Sequence, residues 1–343
     1  MSLVGNKHSF LDLPKPLVTH CFIEPVVRRI ASALQGPAEV VNWTHRAMGW
    51  FDRWSAHRLR AVEVDPVVCY ENSALRTFRA ARQKGYITIL DAASFHHVWQ
   101  DRFFDYPERE QVHRRITDRK DREIALADAI ITVSEQARAS YIDQGVAPSR
   151  VFSIPMGCNY EFFSETQTHR SSSAPFTFIF AGRVGRRKGT DLLVEAADRL
   201  HQKRNQFQVW IAGSGRVNTE GRSYIKQLGH LSRSDLAERF AQAHCLVLPS
   251  RHDAFGRVVV EAMAAGRPVI LSDHVGAQEV LEEGETGWVV EAENVKALTQ
   301  RMAWCIDHPD QLVRMGSAAR EAAKKYTWER YRQDVSDYIL DLI

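Results

Sequence analysis

Cysteine is sparse: five residues in 343 (Cys21, Cys69, Cys158, Cys245 and Cys305), odd in number and never spaced as CxxC. This argues against a disulfide framework or a cysteine-ligated zinc site and points to a reducing compartment. Long apolar runs are missing, with none approaching the ~20 residues that span a bilayer. The apolar stretch 17–23 holds Thr19 and His20 and runs into Glu24, so it lacks the hydrophobic core of a signal peptide. Surplus charge is missing too. Lys plus Arg (45) against Asp plus Glu (42) leaves +3, too balanced for a dedicated nucleic-acid binder. The expectation is a soluble cytoplasmic protein with no nucleic-acid partner. A hydrophobic fraction of 44% and a charged fraction of 25% fit a globular chain long enough for two domains of about 150 residues.

Short β-branched runs alternate with longer amphipathic stretches. Strands are expected at 67–71, 86–91, 129–134 and 151–156. Between them fall helices over 74–84 (capped by Ser73 and ended by Gly85), from Pro107 to about Asp128, and over 135–144. Upstream, 16–21 and 39–43 read as further strands. The stretch 157–175 breaks the pattern: 161–171 is polar and ends in three serines, 171–173, a composition suited to a linker. The alternation then restarts with strands at 176–181, 208–212, 244–249, 268–272 and 288–290. Helices are expected over 190–204, 234–241 and 258–265, and from Val295 onward. This order calls for an α/β protein of two doubly wound, Rossmann-like domains facing across a cleft. The division expected is 1–165, a linker at 166–175, 176–325, and a C-terminal helix at 326–343 crossing back toward the first domain.

The densest chemical signal runs from Ser250 to Pro268. A strand ends at Pro249, a loop carries Asp253, Ala254, Phe255 and Gly256, and a helix begins near Arg257. The free amides at such a helix start form an anion site, and Gly256 lets a backbone approach closely. Glu261 sits in an apolar run where a solvated acid is out of place; its carboxylate can accept from two vicinal hydroxyls, as on a ribose. Asp253, eight residues earlier, would face a second polyol. The bland alternative is a capped helix with two solvated acids. In a second cluster, Gly182 is followed by Arg183, Arg186, Arg187 and Lys188, cations that suit a diphosphate unless they form a solvated basic turn. A third is the strand-to-glycine turn at Gly213 and Gly215. It lacks the full GxGxxG spacing and a downstream acid, which disfavours nicotinamide binding.

Over residues 176–325 these pieces resemble the retaining family 4 glycosyltransferases of the GT-B fold (glycosyl transferases group 1). The matching residues are Gly182-Arg183, Lys188-Gly189, Ala212–Gly215, Pro249-Ser250, Phe255-Gly256, Glu261-Ala262, Gly266–Val269 and Thr286-Gly287. The resemblance implies transfer of a sugar from a nucleotide-diphosphate donor, UDP- or GDP-linked, to a saccharide or lipid-linked acceptor. It implies retention at the anomeric carbon, no cofactor and no obligatory metal. Arg183 and Lys188 fall where such enzymes hold the diphosphate, Glu261 on the acid that binds the ribose, and Asp253 on the acid that contacts the donor sugar. The backbone of 254–256 completes the contacts. Two departures stand out. Asp253 replaces the Glu of many members, and Thr19-His20-Cys21-Phe22 stands where a glycine-rich loop is usual.

The N-terminal half offers His96 and His97, after the strand ending at Asp91. The family often has a histidine in this region, and a neutral imidazole there could steady the donor sugar or position the acceptor hydroxyl; structural loop histidines are the alternative. Segment 28–60 carries Arg28, Arg29, Arg46, Arg53, Arg58 and Arg60 against Glu39 and Asp52, interleaved with Trp43, Trp50, Phe51 and Trp54. A basic, aromatic helix over 47–60 suggests peripheral contact with an anionic membrane face; a tryptophan-packed helix with a solvated basic side is the other reading. Competing functions are a non-catalytic nucleotide-sugar-binding protein and a GT-B epimerase or phosphorylase. The latter is disfavoured because Lys188, Lys203 and Lys226 lack the setting of a Schiff-base lysine.

Overall fold

The computed structural model describes residues 2–4, 18–20, 37–103, 110–166, 175–204 and 206–343, with backbone only up to residue 42. The chain forms two compact units. The first is Met1–Thr132 with Arg138–Phe152 and Asp337–Ile343; the second is Val133–Ala137 with Ser153–Ser336.

In the first unit β1 (Ser2–Val4) pairs in parallel with β2 (Val18–His20). A separate four-stranded sheet has the order β3 (Val67–Tyr70), β4 (Thr88–Ala92), β5 (Ala129–Thr132), β6 (Val151–Ser153). Its first three strands run parallel. Leu90, Ile130 and Val151 meet Phe78 from helix Leu75–Gln83 in the core. The second unit holds a six-stranded parallel sheet in the order β12-β11-β10-β7-β8-β9. These strands are β7 (Phe176–Ala181), β8 (Phe207–Ala212), β9 (Ile225–Gly229), β10 (Cys245–Leu248), β11 (Val269–Ser272) and β12 (Gly287–Val290). Phe178, Ile179, Leu246, Val247, Ile270 and Leu271 are fully buried. A sheet buried on both faces gives such runs, apolar without alternation.

Three features differ from the sequence reading. Residues 39–43 are helical, inside Pro37–Leu59: a run this short fits either period, and the long helix that follows incorporates it. Strand β9 had no expectation: only Ile225 of its five residues is buried, so at the sheet edge it carries little apolar signal. Helix Tyr160–Ser164 buries Phe163 within the stretch read as polar. Residues 167–174 of the linker reading lie outside the described residues, as do Pro107, Cys21, Phe22, Arg28 and Arg29.

Ser73 does not cap helix Leu75–Gln83; its hydroxyl donates to the Tyr70 carbonyl at 2.8 Å. Two carboxylates from other helices take the free amides instead. Glu123, from Glu110–Leu126, accepts from the N–H groups of Asn72 (2.6 Å), Ala74 (3.0 Å) and Leu75 (3.2 Å). Asp52, from Pro37–Leu59, accepts from Arg76 N–H (2.9 Å), Thr77 N–H (2.9 Å) and the Thr77 hydroxyl (2.9 Å). Arg119 bridges the two acids at 2.7 and 2.9 Å. Both acids are fully buried, and negative charge at a helix start is favoured by the dipole. Gly85 (φ 77°) then ends the helix in the left-handed conformation.

Among the described residues, no helix is long and apolar enough to cross a membrane. On helix Pro37–Leu59, Ala47, Asp52, Ser55 and Leu59 are buried while Arg46, Trp50, Arg53 and Arg58 are exposed. Trp43 packs edge-on to Trp50 at 6.5 Å, and the Arg46 guanidinium lies over Trp43 at 5.2 Å. Both the packed-tryptophan and the basic-surface features are thus present on one helix.

Removing one member of a buried ionic group leaves its partners unpaired, so Asp52→Ala should destabilise the first unit by about 3 kcal/mol. Urea denaturation followed by circular dichroism checks this; a loss below about 1 kcal/mol would show that the amides find other partners.

Candidate active site

Parallel pairing brings the carboxyl ends of β10, β7, β8 and β9 side by side, and a cavity of about 790 Å³ opens over them within the second unit. Gly182, Arg183, Lys188, Gly213, Gly215, Asp253, Gly256 and Glu261 all line it. Eight of the singled-out residues therefore meet around one space. Ala254 and Phe255 do not line it. Phe255 is 2% exposed and packs inward, and its carbonyl accepts from Ala277 N–H at 2.7 Å. The Ala254 carbonyl accepts from the Ser134 hydroxyl at 2.6 Å. These two residues hold the loop's shape.

The floor of the cavity depends on backbones in close contact. Gly182 N–H donates to Ala212 O at 2.9 Å and Val184 N–H to Ser214 O at 2.8 Å. A Cβ on Gly213 (φ 143°) would collide with the Gly182 carbonyl, so only glycine fits there.

Charge is paired across the loops. Lys188 from the β7 loop forms an ion pair with Asp253 from the β10 loop. Burial pushes the Lys188 ammonium below its ordinary range, against the pull of Asp253. Glu261, at the side of helix Val258–Ala264, pairs with Arg257 at 3.1 Å. Burial pushes its carboxyl up, and Arg257 opposes that shift. Arg183 is exposed at the cavity.

Several contributors were not singled out from sequence. Arg251 is 5% exposed and donates to both Asp191 oxygens (2.9 and 2.8 Å) and to Glu293 (2.6 Å). Its own N–H bonds to Arg187 O at 2.9 Å, which ties the β7 and β10 loops together. Arg257, His230 and Leu231 also border the cavity, beside Arg187 of the expected cation cluster. Position after a strand end was the available signal for Arg251 and His230; the partners of Arg251 lie about 40 to 65 residues away and leave no local pattern.

His96 and His97 belong to the first unit, after β4, and are 5% and 7% exposed. Val98 N–H donates to His96 Nδ1 at 3.3 Å, which leaves the neutral ring's proton on Nε2. Burial, then the neighbouring His97 and Lys120, pushes His96 down to about 4. His97 Nε2 lies 3.2 Å from Asp121, and burial lowers its pKa as well. Ligand atoms of His96, His97 and Asp121 fall within 4.8 Å of one another, the one such trio among the described residues.

Residues 162–322 match the family of glycosyl transferases group 1. Among similar curated proteins, D-inositol 3-phosphate glycosyltransferase 1 of Catenulispora acidiphila is 29% identical over 230 residues, covering 60% of this chain and 55% of that protein. The uncharacterized glycosyltransferase MJ1178 of Methanocaldococcus jannaschii is 27% identical, with 60% of this chain and 57% of that protein covered. The chain spans about half the length of the curated relatives it matches. The fold extends the likeness. Sucrose-phosphate synthase from Thermosynechococcus elongatus superposes with a TM-score of 0.69 at 20% identity, over 87% of this chain and 78% of that one. Anabaena HepE in complex with UDP gives 0.64 at 17%, over 86% and 82%. The chain has the α/β fold of these GT-B glycosyltransferase structures, built on parallel sheets. The group 1 region contains the whole cavity.

A His96 imidazole lowered to about 4 is neutral at every pH above 5. Its ring-proton resonances should therefore stay unshifted from about pH 7.5 to 5.5 and move only near 4. A midpoint near the ordinary 6.5 would mean that the ring is solvated and unrestrained.

Proposed function

We propose that the protein is a retaining glycosyltransferase. It moves a sugar from a nucleotide-diphosphate sugar to a hydroxyl of a saccharide or lipid-linked acceptor, in polysaccharide, lipopolysaccharide or glycolipid synthesis. One observation carries the reading: a single cavity lined by four cations (Arg183, Arg187, Lys188 and Arg257), three glycines at strand ends and two largely buried carboxylates, all inside the group 1 region. In this reading Arg183 and Lys188 bind the diphosphate, with no cofactor and no obligatory metal. The Glu261 carboxylate accepts from the ribose hydroxyls, and Asp253 accepts from the donor sugar. The backbone around Gly256 and the glycines Gly182, Gly213 and Gly215 lets the donor lie against the sheet.

The chemistry follows from what those groups can do. Negative charge grows on the leaving diphosphate as the anomeric C–O bond breaks, and fixed cations stabilise that charge more than they stabilise the ground state. Asp253 is already paired with Lys188, which suits a positioned acceptor of hydrogen bonds better than a free nucleophile. The reading is therefore front-face substitution. The acceptor oxygen bonds to the anomeric carbon on the side the phosphate leaves, and the acceptor's proton passes to a departing phosphate oxygen. His96 or His97 serves to steady the sugar or the acceptor hydroxyl as a neutral imidazole. The exposed basic and aromatic side of helix Pro37–Leu59 would keep the enzyme at the cytoplasmic membrane surface where a lipid-linked acceptor resides.

Glu261→Ala should weaken binding of the free nucleoside diphosphate by about 1.5–3 kcal/mol, read by calorimetry on a variant that keeps its fold. Unchanged affinity would remove Glu261 from the site and the reading with it.

Asp253→Asn should retain measurable transfer, since a hydroxyl contact weakens and no nucleophile is lost. Intact-mass spectrometry after incubation with a slow fluorinated donor is expected to show unmodified enzyme. A stable adduct of one sugar mass on Asp253 would overturn front-face substitution in favour of a double displacement.

A further inference from the structure

Glu261 does not stand alone in the cavity. Arg257 and Glu261 lie one turn apart at the start of helix Val258–Ala264, the spacing at which helical side chains meet. The Arg257 Nε–H donates to Glu261 Oε1 at 3.1 Å, and among the described residues nothing donates to Oε2. Both side chains line the cavity, but Arg257 is 49% exposed and Glu261 only 14%. A carboxylate offers about four acceptor positions on its two oxygens, so this one bond leaves room for two hydroxyls. On its other side the Arg257 guanidinium lies 5.9 Å over the Trp328 ring. That ring has a tied backbone: Trp328 N–H donates to Cys158 O at 3.2 Å and Cys158 N–H to Tyr326 O at 2.9 Å. The Cys158 thiol in turn donates to Val260 O at 3.6 Å, on the helix that carries Glu261. The guanidinium is thus set between an anchored ring and the acid.

We propose that Arg257 is a positioning residue for the donor: it fixes the Glu261 carboxylate through Oε1 and keeps it an acceptor, so that its remaining lone pairs meet the ribose hydroxyls. The inference rests on the donor reading above and gives Arg257 no contact with the phosphates. A protonated carboxyl would present an O–H where a hydroxyl needs an acceptor. Burial favours that neutral form and raises the Glu261 carboxyl. Arg257 opposes it most, by charge and by hydrogen bond, and Arg233 of helix Arg233–Gln242 adds a weaker pull. The other titratable groups facing Glu261 leave this balance to Arg257. The Cys158 thiol, pushed up to about 12 by burial and then by Glu261, is neutral. Across the cavity Lys188 is paired with Asp253, and Arg183, Arg187 and His230 complete the charged or titratable lining. Among the described residues Arg257 alone donates a hydrogen bond to the Glu261 side chain.

Calorimetry on the full chain at about pH 8 and about pH 6 tests this, with UDP-glucose and GDP-mannose as probes and the tighter binder carried through. Their phosphates have no second ionisation, so the ligand itself does not titrate. The unaltered protein should bind with an affinity that changes less than about twofold over this range. In Arg257→Met the affinity should drop only about threefold at the higher pH and a further tenfold or so at the lower one. The sign follows from the carboxyl: without its cation it takes up a proton as the pH falls, and the acceptor is lost. Arg257→Lys should restore the flat profile, and Arg257→Met combined with Glu261→Gln should abolish the slope. An equal loss at both pH values in Arg257→Met would mean that the guanidinium meets the donor directly, and would overturn the positioning role. An unchanged profile in Arg257→Met, or a slope that persists in the double variant, would overturn it too. If neither probe binds the unaltered protein, the donor reading itself falls and this inference with it.

Discussion

Parallel pairing is the constraint on which the second unit depends. Because β7, β8, β9 and β10 all run the same way in adjacent positions, their carboxyl ends open on one side. The four loops that follow them must then share one space. Segments 182–188, 213–215, 230–231 and 253–261 are spread over about 80 positions of sequence, yet each contributes residues to the lining of one cavity. Side-chain chemistry there is a consequence of backbone hydrogen bonding. The glycines follow from the same constraint, since neighbouring strand ends in contact leave no room for a Cβ at Gly213.

Electrostatics completes what the backbone begins. Lys188, Asp253, Glu261, Arg257 and Arg251 are brought together in a partly desolvated space, and each charge finds an opposite one. Burial raises Glu261 and lowers Lys188, while the partner opposes the shift in both cases. In the proposed function, a donor that brings its own charge and hydroxyls would exchange these internal pairs for pairs with itself. The first unit uses the same device for a structural end. Asp52, Glu123 and Arg119 gather around the start of helix Leu75–Gln83 and satisfy amides that no local side chain reaches.

Legibility from sequence followed the range of the forces involved. Strand 176–181 and the helices starting at Thr190 and Val295 could be read because buried parallel strands and amphipathic helices write their periodicity locally. β9 could not, since an edge strand with one buried residue in five has no apolar period to display. Residues 39–43 were misread for the opposite reason. Five mostly apolar residues fit a strand as well as a helix, and only the sixteen that follow in Pro37–Leu59 decide between them. At the site, Arg183, Lys188, Asp253 and Glu261 were legible because glycine turns and strand ends flank them. Phe255 was grouped with them by adjacency, yet its ring turns into the core.

The sequence by itself determined the alternation of strands and helices, the positions of the glycine turns and the kinds of charge that follow them. These are written within a few residues, where propensity and hydrophobic period act. Only the tertiary structure decided which charges meet: that Lys188 faces Asp253, that Arg251 ties the β7 loop to the β10 loop, and that Glu123 rather than Ser73 caps a helix. The reason is physical. Ion pairing and desolvation depend on distance in space, and strand order in the sheet sets that distance without leaving a local trace in the chain.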